Sequence, residues 1–578
     1  MIKVFINNNE VVVNENATIL EAAKKVGIEV PTLCHLNLEC FNKEHRVGSC
    51  RICVVEVEGR PNLAPSCCTP VAEGMKVTTN SIKAINARRT ILDLIMSNHP
   101  KDCLICEKNL ECDLQTLCMK FGLHHQRYEG ARSHTPKDLA NQSIARDPDK
   151  CIMCRRCETA CNEIQEVGIL CAEGRGFGTV VTPTLGKPLA ETQCTFCGQC
   201  VSVCPTGALT EMSQVRDVWA ALNDKTKTVI VQTAPAVRVA IGEEFGSAPG
   251  TVSTGKLVAA LRFLGFQKVF DTDWSADLTI MEEAHELMER VKKNENLPIL
   301  TSCCPGWVKF FEHQFPDLLH VPSTCKSPQQ MFGAIAKTFY AEKIGVKPED
   351  MVVVSVMPCL AKKYEANRDD FKRNGVKDVD YVLSTRELAK MLKEAGCNWD
   401  YLKDAEYDNP LGESSGAGVI FGASGGVLEA ALRTAADWIS GKDLPNFDFK
   451  DVRSLTGIKE ATVEVAGLKL NVAISSGLGN AKKLLEKIRK GEAHYHAIEI
   501  MACSGGCLNG GGQPYIHGKT EILKKRQEAI YREDSSKMIR KSHENPSIKA
   551  IYKDFLGKPG GHKAHELLHT KYTPRKKM

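Results

Sequence analysis

The feature that most constrains this chain is a cysteine run that occurs twice, as CIMCRRCETAC and CTFCGQCVSVCP. The first run contains Cys151, Cys154, Cys157 and Cys161, and the second contains Cys194, Cys197, Cys200 and Cys204. This repeat is typical of paired 4Fe-4S clusters, in which the fourth cysteine of each run crosses to the other cluster. It predicts one cluster on Cys151, Cys154, Cys157 and Cys204, and a second on Cys194, Cys197, Cys200 and Cys161. Zinc ribbons are the alternative interpretation.

The composition supports metal binding by a large, folded chain. It has 26 cysteines in 578 residues, and its start, MIKVFINNNEVVV, lacks the basic flank and apolar core of an export signal. We therefore expect a cytoplasmic protein whose clustered thiols bind metal rather than form disulfides. With 75 basic and 70 acidic residues, the charge gives no indication of nucleic-acid binding, and no apolar run approaches the ~20 residues of a membrane span.

The first 70 residues predict a small α+β domain with its own metal site. IKVFINNN and EVVVNE alternate as a β-hairpin, and Thr18 and Glu21 have the spacing of a capping box before a short helix that Gly27 would end. Four cysteines follow, namely Cys34, Cys50, Cys53 and Cys67. The segment resembles plant-type 2Fe-2S ferredoxins, although its first gap is longer than theirs. Zinc remains an alternative here, and Cys68 is an alternative to Cys67 as ligand.

The next segment, HPKDCLICEKNLEC, predicts a further cluster. His99, Cys103, Cys106 and Cys112 are close enough in sequence to share one ion or cluster. An isolated histidine is more often structural, but imidazole in place of one thiolate is an established way to shift a cluster's potential. We predict that His99 is a ligand together with the three cysteines, whether they hold one ion or a cluster.

From about residue 216 the pattern becomes α/β, and four apolar runs end at unusual residues. The runs are TVIVQTAPAVR, LPILTSCCPGW, MVVVSVMPCLAKK and HAIEIMACSGGC. Ligands in open α/β sheets bind at the carboxyl ends of strands, so these four ends can meet at one crevice. That arrangement would bring together Cys359, Cys503, Cys507 and either Cys304 or Cys303.

TSCCPGW, MPCLAKKYE and EIMACSGGCLNGGGQP, in that order behind these cluster motifs, resemble the large, monomeric, clostridial-type iron-only hydrogenases. The resemblance implies that Cys304, Cys359, Cys503 and Cys507 hold a 4Fe-4S cubane. By the same resemblance, Cys507 bridges to a two-iron subsite with carbonyl, cyanide and an azadithiolate bridge, which maturation proteins install. This composite is the H-cluster. The glycines of the last motif would let backbone approach the bulky inorganic group.

The resemblance also implies an architecture of α+β and α/β domains, in which ferredoxin-like iron-sulfur domains precede a two-lobed α/β catalytic domain. We expect a 2Fe-2S domain at 1–80, a histidine-ligated 4Fe-4S domain at 81–125, a two-cluster domain at 126–215, a catalytic domain at 216–518 and a small-subunit-like tail at 519–578. These would carry one 2Fe-2S cluster, three accessory 4Fe-4S clusters and the H-cluster. We expect the tail only to pack against the catalytic domain.

Further roles follow from the resemblance alone. Proton transfer would proceed through Cys303, Glu283, Ser323 and Glu286, with Arg290 near the exit. Lys362 would donate to a cyanide, backbone at Ala234 and Pro235 would cradle the subsite, and Gln329, Met357, Phe421 and Met501 would line the pocket. Without the resemblance, Glu283 and Glu286 would be taken for a solvated helix face, Lys362 for a surface lysine and the methionines for core.

The expected function is reversible conversion of protons and electrons to H2, with ferredoxin or flavodoxin as electron partner. A hydrogen-sensing regulatory protein with the same cluster core is the alternative from another class. Such relatives commonly change the relay cysteine or add a signalling module, whereas this chain has Cys303 and ends soon after its tail. A cluster-assembly scaffold is a third reading, but it would lack the full set of cysteines.

Overall fold

A computed structural model describes residues 1–445, 447–455, 457–465 and 467–575 of the chain. The first seven strands are β1 Ile2–Ile6, β2 Asn9–Val13, β3 Leu36–Leu38, β4 Lys43–His45, β5 Val54–Val57, β6 Ala64–Pro65 and β7 Lys76–Thr78. Five of them form one sheet in the order β2-β1-β7-β5-β6, and β3 pairs with β4. The predicted hairpin is β1–β2, and the predicted capping box begins helix α1, Ile19–Lys25.

Residues 82–211 form short elements around the remaining cysteine motifs. The helices are α2 Ile82–Asn98, α3 Asp113–Lys120, α4 Arg156–Glu158 and α5 Gln199–Val203, and the strands are β8 Ile144–Arg146, β9 Leu170–Glu173, β10 Val180–Pro183 and β11 Leu209–Glu211. β8 pairs with β11 and β9 with β10, both antiparallel. Because so little regular structure is present, the loops that carry the cysteines supply much of the buried interior.

The α/β part of the chain contains two four-stranded sheets. Its strands are β12 Thr228–Thr233, β13 Lys268–Asp271, β14 Ile299–Leu300, β15 Met351–Met357, β16 Lys372–Arg373, β17 Val376–Lys377, β18 Tyr381–Ser384, β19 Ile458–Val465, β20 Leu468–Ser476 and β21 Ala497–Met501. The first sheet has the parallel order β13-β12-β15-β18. The second has the order β14-β21-β20-β19, in which only β19 is antiparallel. The four apolar runs therefore belong to two sheets, two runs in each, which confirms a two-lobed α/β fold.

Helices cover both sheets, as the nearly continuous apolar strands require. They are α6 Val215–Asn223, α7 Thr254–Phe263, α8 Thr272–Lys293, α9 Pro305–Gln314, α10 Pro328–Ile335, α11 Ala341–Ile344, α12 Ala361–Ala366, α13 Thr385–Glu394, α14 Gly416–Val419, α15 Gly426–Ser440 and α16 Leu478–Arg489. α8 is central, because it packs against α10 and α15 and is buried over most of its length. Asp271 caps it by accepting a hydrogen bond from the Asp273 amide.

The C-terminal tail contains α17 Thr520–Ser536, α18 Pro546–Ile551 and α19 His562–Leu568. α17 packs against α14, and α19 against α10. Arg526 of α17 is fully buried and donates to Glu243 and to the Leu508 carbonyl. Within the described part of the chain, none of the helices combines the length and the apolar character needed to span a bilayer.

Candidate metal centres and active site

Four cysteine thiols from distant parts of the chain converge between the two lobes. Cys359 follows β15 of the first sheet, Cys304 follows β14 of the second, and Cys503 and Cys507 follow β21. Each of these thiols is close enough to others of the group to influence their ionisation. Cys303 lies next to this group and interacts with Cys304 and Cys507. The tertiary fold, rather than a short sequence clip, builds the site.

The site is internal and suited to a metal cluster. Cys303, Cys304, Cys359 and Cys507 lie deep in the protein, yet each keeps part of its surface accessible. Burial raises the pKa of Cys359 to about 12 and that of Cys303 well above its ordinary value. Iron reverses this preference at its ligands, because a coordinating thiol is deprotonated. A thiol of this group that does not bind iron would remain protonated.

The glycine-rich loop brings three cysteine-bearing loops into backbone contact. A Cβ atom at Gly510 would collide with the carbonyl oxygen of Pro358, next to Cys359. A Cβ at Gly511 would come within 2.7 Å of the carbonyl oxygen of Cys197. The sequence suggested that these glycines make room for an inorganic group. In the structure Gly510 and Gly511 make room for the loops that carry Cys359 and Cys197. The two glycines therefore allow the Cys507 loop to pack against the two-cluster module.

Lys362 is buried, contrary to what its sequence context alone suggests. Its ammonium group donates to the Cys303 carbonyl at 3.0 Å and to Glu365 at 2.9 Å. Glu365 also accepts from Gln329 and Ser327. Sequence reasoning missed Glu365, although its position three residues after Lys362 on a helix was an available signal. The carboxylate fixes the lysine against the loop that carries Cys303.

The predicted proton-relay residues form one connected group. Burial and the neighbouring Glu286 raise the pKa of Glu283 to about 8, and Ser323 lies within hydrogen-bonding reach of it. Ser323 Oγ donates to Glu286 Oε2 at 3.1 Å, and Arg290 donates to Glu286 Oε1 at 2.6 Å. The thiol of Cys303 is close enough to Glu283 to feel its charge. The residues alone suggested that Glu283 lies on a solvated helix face. That interpretation is wrong, because Glu283 is only 4% exposed.

The remaining predicted pocket residues are buried near the thiols. Met501 and Phe421 share one apolar cluster, against which Cys303, Cys304 and Cys507 pack. Met357 ends β15, and Gln329 keeps a buried side-chain oxygen with no hydrogen-bond partner among the described residues.

The predicted backbone cradle lies at Ala234 and Pro235, where neither residue has an N–H left to donate. Ala234 donates its N–H to the Val356 carbonyl at 3.0 Å, so this amide is already used in extending the sheet. Pro235 has no N–H to donate. Contact with a bound group at these two positions would therefore depend on carbon atoms or carbonyls, not on backbone donors.

The two cysteine runs pack as the crossed pattern predicts. Cys151, Cys154, Cys157 and Cys204 line one cavity, and Cys161, Cys194, Cys197 and Cys200 line a second. The second group adjoins the four thiols that converge between the lobes, because Gln199 donates to Cys503 Sγ at 3.1 Å and the thiols of Cys197 and Cys503 interact. Lys309, which sequence reasoning missed, donates to the Cys194 carbonyl at 2.6 Å. A continuous series of thiol groups thus leads to the crevice.

The N-terminal thiols form another group next to this module. Hydrogen bonds join Cys34 to Cys50 and Cys67, and join Cys53 to Cys67. Cys68 is exposed, outside the group. The hairpin β3–β4 places His45 2.8 Å from the Cys154 carbonyl, and Arg156 donates to the Cys34 carbonyl.

His99 keeps one ring nitrogen available to a metal. It lies at the end of α2, and its Nδ1 donates to the Pro100 carbonyl at 2.8 Å, which leaves Nε2 with the lone pair. That Nε2 is buried and has no hydrogen-bond partner within the described ranges. The Cys112 thiol interacts with Cys106, and the Cys118 thiol with Cys112 and Cys103, so the three predicted cysteine ligands lie in one neighbourhood.

The tail makes contacts that sequence reasoning did not foresee. Tyr572 donates its hydroxyl to the Ser323 carbonyl, and the Thr570 amide donates to the Thr324 carbonyl at 2.8 Å. His569 hydrogen bonds the Thr324 hydroxyl. The expectation that the tail only packs is therefore incomplete, because it also fixes the loop that carries Ser323.

Family models match most of the chain. Residues 227–511 match the C-terminal domain of the iron-only hydrogenase large subunit, and residues 520–575 match the iron hydrogenase small subunit. A 2Fe-2S iron-sulfur cluster binding domain matches residues 1–81, an iron-sulfur binding region of NADH-ubiquinone oxidoreductase-G matches 88–127, and a 4Fe-4S binding domain matches 189–210. The order of these matches agrees with the order of thiol groups in the structure.

Individual proteins give the same result. The chain is 57% identical to the NADP-reducing hydrogenase subunit HndD of Solidesulfovibrio fructosivorans, over all of both chains. It is 41% identical to iron hydrogenase 1 of Clostridium pasteurianum, over 98% of this chain and 99% of the relative. A structure of FeFe-hydrogenase HydA1 from Chlamydomonas reinhardtii aligns with a TM-score of 0.57 and 46% identity, over 63% of this chain and 99% of HydA1.

Fold, thiol groups and relatives together define an iron-sulfur oxidoreductase. The chain belongs to the iron-only hydrogenase family. It is a hydrogenase with 2Fe-2S and 4Fe-4S clusters and the H-cluster of FeFe-hydrogenases.

Proposed function

We propose that this chain catalyses the reversible reaction of two protons and two electrons to H2, with electrons exchanged with ferredoxin or flavodoxin. The observation that carries the proposal is the convergence of Cys304, Cys359, Cys503 and Cys507 between the lobes. These four would hold the cubane of the H-cluster, and Cys507 would also bind the two-iron subsite. When bound, the H-cluster supplies the redox chemistry at which protons and H2 interconvert.

The accessory centres would form the electron path. We propose a 2Fe-2S cluster on Cys34, Cys50, Cys53 and Cys67, a 4Fe-4S cluster on His99, Cys103, Cys106 and Cys112, and the two crossed cubanes of the cysteine runs. This assignment supports the division of the chain at about residues 80, 125, 215 and 518. A shift of ~59 mV per pH unit places the reduction potential of the H+/H2 couple at about −410 mV at pH 7. The reduction potentials of cysteine-bound clusters include this value.

Protein side chains would do the proton chemistry. Cys303, deep in the protein beside the four converging thiols, would give or take the proton nearest the metal. Glu283, Ser323 and Glu286 follow at hydrogen-bonding spacing, and Arg290 holds Glu286 near the exit. Lys362 would orient the subsite by donating to a cyanide, since a lysine ammonium is a compact point charge. Met357, Phe421 and Met501 would exclude water, and Ala234, Pro235 and Gln329 would complete the pocket.

The full-length likeness to a subunit named as NADP-reducing favours a second candidate for the electron partner. In that case electrons would pass between this chain and NADP+ through further subunits. With the chain alone, the ferredoxin proposal predicts rapid H2 evolution from reduced ferredoxin. Evolution from NADPH only after other subunits are added, with none from ferredoxin, would favour the second candidate instead.

Infrared spectroscopy and metal analysis test the proposal itself. After maturation the protein should show carbonyl and cyanide bands, contain about 20 iron atoms per chain and evolve H2 from reduced viologen. A sensor with the same core would show the bands but only slow turnover. Absence of the bands after maturation would refute the H-cluster ligand set.

A further inference from the structure

A second series of hydrogen-bonding groups leaves the relay at Glu286 and enters the C-terminal tail. Glu286 Oε2 accepts from Ser323 Oγ at 3.1 Å and from Thr324 Oγ1 at 3.3 Å. Thr324 Oγ1 in turn lies 2.7 Å from His569 Nδ1. Glu286 Oε2 therefore connects the Ser323 hydroxyl to Thr324 and His569, whereas Glu286 Oε1 accepts from Arg290.

Glu282 fixes the hydrogen on the far side of the His569 ring. Glu282 is 1% exposed and accepts from the Tyr552 hydroxyl and from the Gly560 amide. Its Oε2 lies 3.0 Å from His569 Nε2, so Nε2 is the donor of this pair. With Nε2 protonated, Nδ1 is the position at which His569 gains or loses a proton.

The proton state of His569 therefore sets the direction of the Thr324 hydroxyl. Beside a neutral His569, the single hydroxyl hydrogen points outward to Nδ1. Beside a protonated His569, Nδ1–H donates to Thr324, and the hydroxyl hydrogen points inward to Glu286. A proton gained at His569 thus completes a chain of donors directed at the relay.

The tail brings this series to the protein surface, where 6% of the His569 side chain remains accessible. His565 is exposed, and its ring stacks on His569 with the ring centroids 4.1 Å apart. The titratable groups that surround His569 are Glu282, Glu286, Cys325, Tyr552 and His565, with His285 on the far side of Gly560.

We propose that His569, with His565 outside it and Thr324 inside it, forms a second proton path between solvent and Glu286, alongside the exit at Arg290. The inference rests on the proposed relay role of Glu286. In one inward passage His569 Nδ1, with its hydrogen bond to Thr324 open, takes a proton from a hydronium ion, which leaves as water. When that hydrogen bond forms again, the new N–H bond at Nδ1 breaks as Thr324 accepts the proton. Thr324 gains one hydrogen and releases another, and an O–H bond forms on Glu286. No electron moves.

The experiment measures H2 evolution from reduced methyl viologen by matured full-length enzyme, with His569→Ala and Thr324→Val placed in the parent and in an Arg290→Gln background. We expect His569→Ala to lower the rate only about threefold in the parent, because the exit at Arg290 still carries protons there. When Arg290 is also replaced, the loss should reach about tenfold or more, towards the full contribution of a positioned acid-base group. Imidazole in the buffer should restore most of the rate to His569→Ala, but not to Thr324→Val. The matched control is His562→Gln, which changes an exposed histidine of α19, the helix that carries His565. Its rate of H2 evolution should equal that of the parent.

Two results would overturn the second path. One is a His569→Ala rate equal to the parent in both backgrounds, and the other is a loss that imidazole does not restore, which indicates a structural role. Glu286→Gln separates this proposal from the proposed relay. If Glu286→Gln keeps the parental rate, the relay itself fails. If it removes activity while His569→Ala does not, only the second path fails.

Discussion

The two-cluster module and the catalytic site hold thiols in opposite ways. In the module, each group takes three cysteines from one run and one from the other, and very little regular structure surrounds them. In the catalytic site, four thiols come from three strand ends in two sheets. In the two-cluster module, the spacing within each cysteine run brings most of the thiols of a group together. In the catalytic domain, the four thiols meet only when both lobes have folded. The metal site and the fold are therefore coupled much more tightly in the catalytic domain.

The largest expected effect is at a catalytic thiol. Cys507→Ser should lower H2 evolution by at least about a thousandfold, because Cys507 is proposed to hold both the cubane and the two-iron subsite. The accessory clusters should remain, since their thiols lie in separate groups, and their electron paramagnetic resonance signals measure this. Cys397→Ser, which changes a thiol with no assigned role, is the control. Loss of the accessory signals together with activity would contradict the separation of the two regions.

Cys303→Ala tests the proton side of the same site. Turnover should fall by about 10²- to 10⁴-fold, the contribution of a positioned acid-base group. Iron content and the infrared bands should stay near those of the parent, since Cys303 is proposed as a non-ligand. A parallel loss of iron would show instead that this thiol, and not Cys304, is the ligand.

Glu283→Gln should change how stability depends on pH. Burial and Glu286 raise the pKa of Glu283 from the ordinary 4.5 to about 8 in the folded protein. Between these values the folded chain binds one more proton than the unfolded chain, so the stability of the parent is intact at low pH and falls as pH rises through 8. The variant lacks this group, so its melting temperature relative to the parent should rise by several degrees from pH 5 to pH 9. Glu289→Gln changes a half-exposed carboxylate of the same helix that is paired with Lys293, and it should show no such rise.

The smallest expected effect is that of replacing Cys68, which tests whether Cys67 or Cys68 is the ligand of the 2Fe-2S cluster. Cys68 is exposed, whereas Cys67 is buried and hydrogen bonds Cys34 and Cys53. Cys68→Ser should leave the 2Fe-2S absorption and the H2 rate unchanged, while Cys67→Ser should remove the 2Fe-2S absorption. The opposite pattern would reassign the ligand.

The sequence predicts local features of this molecule well. The crossed cysteine runs and the capping box at Thr18 depend only on spacing, and the structure shows both groupings. The two-lobed α/β class was also predictable, although the strand patterns did not reveal that the four runs belong to two sheets. The choice between Cys303 and Cys304 came from family resemblance, because adjacent cysteines after one strand are equivalent in pattern.

Tertiary burial explains what the residues alone could not reveal. α8 has polar groups on all sides, and only the packing of two lobes and the tail around it buries Glu283. The same packing places His569 beside Thr324, 245 residues away in sequence. No periodicity or motif carries that information.

Anomalous diffraction at the iron absorption edge, from crystals of matured protein, tests the central claim most directly. The account predicts iron density bonded to Cys304, Cys359, Cys503 and Cys507, with two further irons beyond Cys507 and separate density at each accessory group. Density that follows the zinc edge at these four thiols, or thiols lying apart with no iron between them, would contradict it.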